Sequence, residues 1–289
     1  RNWKYQGKFT RLKKEWQLGK ILQKQQYDLV VNLADQWKAA IFALVTKAPV
    51  RLGFEFEKRQ NSKFWQKCHN IIVPTAEHGQ LHTVEQNLSI LAPLNVPIIS
   101  DVTMAYSHQD KQWLEETIKK HHIPKNYIVI QPTSRWFFKC WDEDKMATLI
   151  TQLQQDNYSI VLTSGPEAKE LEMIENILAQ CPDKTSINVL AGKTSLSQLA
   201  TLIDHAALFI GVDSVAMHMA AALKTPLIAL FGSSKLEHWH PWQAIGETIW
   251  AGNYAKIPHP DQIKTDTQQR YLSAIPVDAV FNAAKRYLS

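Results

Sequence analysis

The stretch from Phe209 to Gly232, FIGVDSVAMHMAAALKTPLIALFG, constrains this chain more than any other. An apolar strand runs into a polar turn, a helix of small residues, a Lys-Thr-Pro turn and a second apolar strand, which together make a parallel βαβ unit. Asp213 and Ser214 stand where a helix N-cap belongs, so the amides of Ser214, Val215 and Ala216 lack intrahelical acceptors. Free amides at the positive end of a helix attract phosphate. Ala216, Ala220, Ala221 and Ala222 keep the sheet-facing side thin, which lets the helix lie close to the sheet and holds its first turn rigidly. A capped crossover helix with no ligand would read the same way in isolation, so the surroundings decide.

Those surroundings are a chain of 289 residues, 45% hydrophobic and 20% charged, enough for two domains rather than one. No apolar run reaches bilayer length. Cys68, Cys140 and Cys181 are widely spaced, without metal-ligand spacing, and suit a reducing, cytoplasmic compartment with free thiols. The net charge of +5 is concentrated at the start, where RNWKYQGKFTRLKKEWQLGKILQKQQ carries eight Lys or Arg against one Glu. That fits an anionic partner such as a membrane surface, or simply a solvated helix face; without interleaved base-stacking aromatics, nucleic acid is disfavoured.

Periodicity divides the chain. The first part reads as a helix from about Lys8 to Gln25, a strand from Asp28 to Leu33, a helix around Gln36 to Thr46, a short strand ending at Pro74 and a helix near His82 to Leu91. A segment rich in Pro, Asn and Ser follows and places the boundary within residues 95–112, giving domains of 1–110 and 111–289. Beyond it, helices of about ten residues alternate with strands of β-branched and Leu residues, the signature of a parallel sheet buried on both faces. Ligands collect beyond the carboxyl ends of such strands.

Each of those ends carries ligand chemistry. Thr133, Ser134, Arg135 and Lys139 follow YIVIQP; Gly165 and Glu167 follow SIVLTS; Gly192, Lys193 and Thr194 follow INVL; Ser233 and Ser234 follow LIALFG. A nucleoside diphosphate would divide them. The hydroxyls of Thr133 and Ser134, the Lys139 ammonium and the amides of residues 214–216 suit a pyrophosphate. Glu167 can accept from two ribose hydroxyls, and Thr194 with its backbone can border a base. His218 lies one turn into the helix, on the face of Ser214, within reach of a ligand or packed against a loop.

The pattern strand, Val-Asp-Ser-x-x-x-His, Ala-Ala-Ala-Leu, Lys-Thr-Pro, strand, Phe-Gly-Ser resembles the family 9 glycosyltransferases, the bacterial lipopolysaccharide heptosyltransferases. DLVVNLADQWKAA and HGQLHTVEQNLSIL extend the resemblance into the first domain. It implies an α/β chain of the GT-B type, two Rossmann-like domains with parallel sheets facing across a cleft. By position it assigns Thr133, Ser134 and Lys139 to the donor phosphates, Glu167 to the ribose, Thr194 to the adenine side, and Asp213 through Ala216 with His218 to the phosphate-binding helix start. Val215 departs from the family, which often has Gly there.

The resemblance further implies inverting transfer of L-glycero-D-manno-heptose from an ADP-activated donor to a heptose of the lipopolysaccharide inner core, with no metal or other cofactor. Lys38, Arg59 and His82 fall at acceptor-side positions. The family's opening strand and its Asp-bearing loop have no counterpart after Arg1, so the first domain is expected to be incomplete, the catalytic base is not named by these residues, and the chain by itself is expected to be inactive. A nucleotide-sugar epimerase of the same fold and a non-catalytic nucleotide-binding fragment are the competing readings.

Overall fold

The computed structural model describes residues 7–288; Ser289 and the first six residues of the basic opening stretch, Arg1 and Lys4 among them, lie outside the described residues. The chain forms two units that divide between Ser100 and Asp101. The division lies inside the 95–112 window expected from the sequence, ten residues before position 110. Met104 and Tyr106 pack against the core of the second unit, the Tyr106 hydroxyl donates to Asp204, and Asp110 accepts from Ser197 Oγ at 2.5 Å, which together tie the segment to that unit.

The first unit runs α1 (Lys8–Lys24), β1 (Leu29–Asn32), α2 (Trp37–Thr46), β2 (Val50–Phe54), α3 (Lys63–Cys68), β3 (Ile71–Val73) and α4 (Thr83–Ser89). Its described strands form a parallel sheet in the order β1-β2-β3, with Leu29 opposite Val50 and Leu52 opposite Ile71. The sequence pattern missed β2 and α3, because Arg51 and Gly53 interrupt the apolar run. Gly53 is needed there, since the His69 ring lies where its Cβ would be, at 2.6 Å. His69 in turn bonds Asn32 Nδ2 at 3.0 Å and sits in contact with Trp65, whose indole donates to the Phe54 carbonyl. A small buried polar network thus stitches the strands of this unit to α3.

The second unit runs α5 (His108–His121), β4 (Ile128–Gln131), α6 (Glu143–Gln155), β5 (Ile160–Leu162), α7 (Ala168–Gln180), β6 (Ile187–Val189), α8 (Leu196–Asp204), β7 (Leu208–Val212), α9 (Val215–Leu223), β8 (Leu227–Phe231), α10 (Leu236–Trp239), β9 (Gly246–Trp250) and α11 (Val277–Leu288). Its strands lie parallel in the order β6-β5-β4-β7-β8-β9. Every residue of β4, β7 and β8 is buried, because helices cover both faces. Met146, Ile150, Ile177 and Val280 bring α6, α7 and α11 onto one face; Leu114, Leu202, Met217 and Ala220 bring α5, α8 and α9 onto the other. β9 and α11 belong to a region that the strand-helix alternation left unread.

The order reverses between β4 and β7, whose residues Gln131 and Gly211 are partners. This is the topological switch point, where the connecting helices diverge to opposite faces and leave a crevice beyond the strand ends. No helix among the described residues is long and apolar enough to cross a membrane.

The edge strand β9 starts at Gly246, whose φ of +142° and missing Cβ let it approach Leu227; a Cβ would sit 1.9 Å from the Leu227 carbonyl oxygen. Gly246→Ala is expected to destabilise the second unit by about 3 kcal/mol or more in urea unfolding, because backbone on both sides must move. A loss below about 1 kcal/mol would show that β9 does not need this approach.

Candidate functional site

The crevice at the switch point is built by two adjacent strand ends. On the β4 side the chain continues through Thr133, fully buried, and Ser134, nearly so, into a short turn at Phe137–Lys139. The Ser134 amide donates to Cys140 Sγ at 3.3 Å. Burial pushes the Cys140 thiol up to about 11, so it stays protonated and serves as a packing group beneath the loop. On the β7 side Asp213 is buried and Ser214 is extended, at φ −151° and ψ 171°, as an N-cap whose own hydroxyl does not cap.

Lys139 and Asp213 meet across this crevice, Nζ to Oδ2 at 2.5 Å, with side chains only 15% and 7% exposed. The ammonium also lies 4.9 Å from the Trp136 ring centroid. A buried charge needs a partner, and here each supplies the other. The cation is therefore held by the residue that precedes the N-cap of α9, whose first amides, those of Ser214, Val215 and Ala216, have no acceptor among the described residues. Val215 is 58% exposed, so its side chain points out of the fold and that turn is open.

Sequence reasoning missed the carboxylate that organises the β4 exit. Glu170, one turn into α7 and 8% exposed, accepts from Thr133 Oγ1 at 2.6 Å and from the Gly165 amide at 3.0 Å. Gln131 Nε2 donates to Thr133 Oγ1 at 3.2 Å, and Thr163 Oγ1 donates to Gln131 Oε1 at 2.6 Å. The chain of bonds spans the exits of β4 and β5 and commits the Thr133 proton to Glu170. A phosphate beside Thr133 would thus meet its backbone amide rather than its hydroxyl. Helical spacing was the available signal, since Glu170 falls on the inward face of α7 with Met173, Ile174 and Ile177.

Glu167 is solvent-exposed at the N-cap of α7 with no capping bond. Thr194 is half-buried after Gly192, whose φ of +67° and amide bond to Ser164 O at 3.1 Å close the β6 exit against the β5 exit. His218 is half-buried and meets the Trp239 ring edge-on at 6.3 Å. Burial lowers its pKa, Lys139 and His240 adding to the effect against Asp213, so it is a neutral ring at neutral pH. The sheet order arranges these exits in a row: Thr194, Glu167, then Thr133 to Lys139, then Asp213 to His218.

In the first unit the three positions expected on the acceptor side are engaged separately. Lys38 pairs with Glu15 on α1. Arg59 donates to Asp35 Oδ1 at 2.7 Å and stacks 4.3 Å over Trp37, beyond the carboxyl end of β1. His82 is buried as the cap of α4, its Nδ1 accepting from the Val84 amide while Glu85 reaches back to its own amide.

The model of glycosyltransferase family 9 (heptosyltransferase) matches residues 15–271. Lipopolysaccharide heptosyltransferase 3 of Escherichia coli K12 is 41% identical over 98% of this chain and 80% of its own length. The chain belongs to glycosyltransferase family 9. Its fold agrees with two solved relatives: a family 9 glycosyltransferase from Veillonella parvula, with TM-score 0.81 and 19% identity over 98% of this chain and 80% of that one, and the E. coli ADP-heptose lps heptosyltransferase II, with TM-score 0.75 and 23% identity over 96% and 81%. As a family 9 member the chain is a glycosyltransferase of the heptosyltransferase type, and the epimerase reading falls away.

Glu170→Ala removes the acceptor of one buried and one half-buried donor and is expected to cost about 2–4 kcal/mol in urea unfolding. Glu170→Gln keeps an oxygen there and should cost less, while Glu167→Ala should stay within about 0.5 kcal/mol. Equal effects at positions 167 and 170 would contradict the network.

Proposed function

We propose that this chain transfers L-glycero-D-manno-heptose, with inversion, from ADP-heptose to a heptose of the lipopolysaccharide inner core. The observation that carries this reading is the Lys139–Asp213 pair next to the open start of α9 at the switch point. The relatives suggest the sugar: one is a lipopolysaccharide heptosyltransferase and another an ADP-heptose lps heptosyltransferase.

The row of exits supports a corresponding order along the donor. Thr194 borders the adenine, the exposed Glu167 accepts from the ribose hydroxyls, and the backbone of Thr133 and Ser134, the Lys139 ammonium and the amides of Ser214 to Ala216 hold the diphosphate. In the transfer, an acceptor hydroxyl attacks the anomeric carbon and gives its proton to a base that these residues do not name. The bond from that carbon to the β-phosphate oxygen breaks, and its electron pair leaves with ADP. Lys139 and the helix amides neutralise the charge that grows on that oxygen.

On the acceptor side, Arg59 is the cation best placed to read an anionic substituent, because its stack on Trp37 fixes the guanidinium plane while leaving N–H groups for a second partner. Lys38 is an exposed cation of the same surface, and His82 supports the chain leading into α4. The basic α1, with Lys13, Lys14, Lys20 and Lys24, favours an anionic membrane at the cytoplasmic face, a modest and salt-sensitive attraction.

Lys139→Ala is expected to weaken ADP-heptose binding in calorimetry at least tenfold and to lower heptose transfer to truncated lipopolysaccharide, with unchanged far-ultraviolet circular dichroism. Unaltered affinity in a folded variant would remove Lys139 from the donor site.

A further inference from the structure

Three serine hydroxyls among the described residues are buried without any hydrogen-bond partner: Ser214, Ser233 and Ser234. All three lie at the carboxyl ends of neighbouring strands, Ser214 just past β7 and the other two just past β8. A buried hydroxyl left unpaired costs about 1–3 kcal/mol, so three of them at two neighbouring strand ends mark a place that a polar ligand completes. Ser233 is 3% exposed.

The turn that presents them is held firmly. The Ser234 amide donates to the Gly232 carbonyl at 2.9 Å, and the same carbonyl accepts from the Trp250 indole at 3.2 Å. Gly232 is pressed against Leu272 and the Tyr271 carbonyl, where a Cβ would come within 2.6 Å and 3.1 Å. The charge of the turn is neutral, because Lys235, the one cation that follows directly, is paired with Asp261 at 3.2 Å. α10 continues from this turn and carries Trp239, 45% exposed, to the His218 ring.

Position in the sheet names what such a neutral turn would meet. If the diphosphate lies over the β4 and β7 exits, the next group of the donor falls one strand further, about 4.8 Å on, at β8. A phosphate only accepts hydrogen bonds and calls for cations, whereas a sugar hydroxyl both donates and accepts, as a serine does. Resting on the donor-site reading above, we propose that Ser233 and Ser234 recognise the hydroxyl groups of the transferred sugar and set the preference for that sugar.

Calorimetry of ADP and of ADP-heptose, each on the unaltered chain, on Ser233→Ala and on Ser234→Ala, tests this. The expected result is an ADP dissociation constant within twofold of the unaltered chain and an ADP-heptose constant at least fivefold weaker in one or both variants. The melting midpoint without ligand should hold or rise, since each variant loses an unpaired buried hydroxyl. Equal weakening for both ligands would place the hydroxyls on the phosphates, and unchanged affinities would make the turn purely structural; either result overturns the proposal while leaving the donor site standing. Failure of the unaltered chain to bind ADP-heptose would overturn both.

Discussion

One ion pair organises the second unit's chemistry: Lys139 and Asp213, 74 residues apart, side by side because β4 and β7 are sheet neighbours. Neither charge could stay buried without the other. Their pairing brings an ammonium with three donors next to the start of α9, where backbone amides have no acceptor among the described residues. An anionic group bound by both the ammonium and the start of α9, as proposed above, would gain from each at little reorganisation. The strand order, and through it the packing of every helix on the two faces, exists in this account to make that adjacency.

Around the pair, the polar residues of the strand ends fall into two states. Some are fully satisfied within the protein, as in the run Thr163, Gln131, Thr133, Glu170 and the Gly165 amide, which fixes backbone geometry at two exits. Others are left wanting partners, as are Ser214, Ser233 and Ser234. The first group sets positions, and the second is the group we assign to the ligand. Thr133 belongs to the first group because the Glu170 carboxylate can only accept from its hydroxyl, a distinction that residue type alone cannot make.

How much of this was legible in the sequence follows from which interactions are local. The strands of the second unit read clearly because burial on both faces makes them unbroken apolar runs, and α9 read clearly because its cap, its alanines and its Lys-Thr-Pro exit are contiguous. In the first unit β2 was hidden, since Arg51 serves backbone carbonyls and Gly53 makes room for His69, neither of which a hydrophobic pattern records. Strand order is non-local, so the contact of Lys139 with Asp213 could be expected from chemistry but not placed. Glu167 stands out in the sequence as the first acidic residue after SIVLTS, whereas only the turn of α7 reveals that Glu170 points inward. The serines after β8 were visible as polar residues at a strand end, but their lack of partners is a property of packing.

The claim on which the rest depends is that the amides beyond Asp213 hold the diphosphate of a nucleotide. Backbone amide resonances of Val215 and Ala216, followed by nitrogen-proton correlation spectroscopy while ADP and then adenosine are added, report on this directly. ADP should move both amide protons downfield, as new hydrogen bonds to phosphate oxygens do, and adenosine, which lacks the phosphates, should leave them in place. Saturable ADP binding with both resonances unmoved would contradict the account.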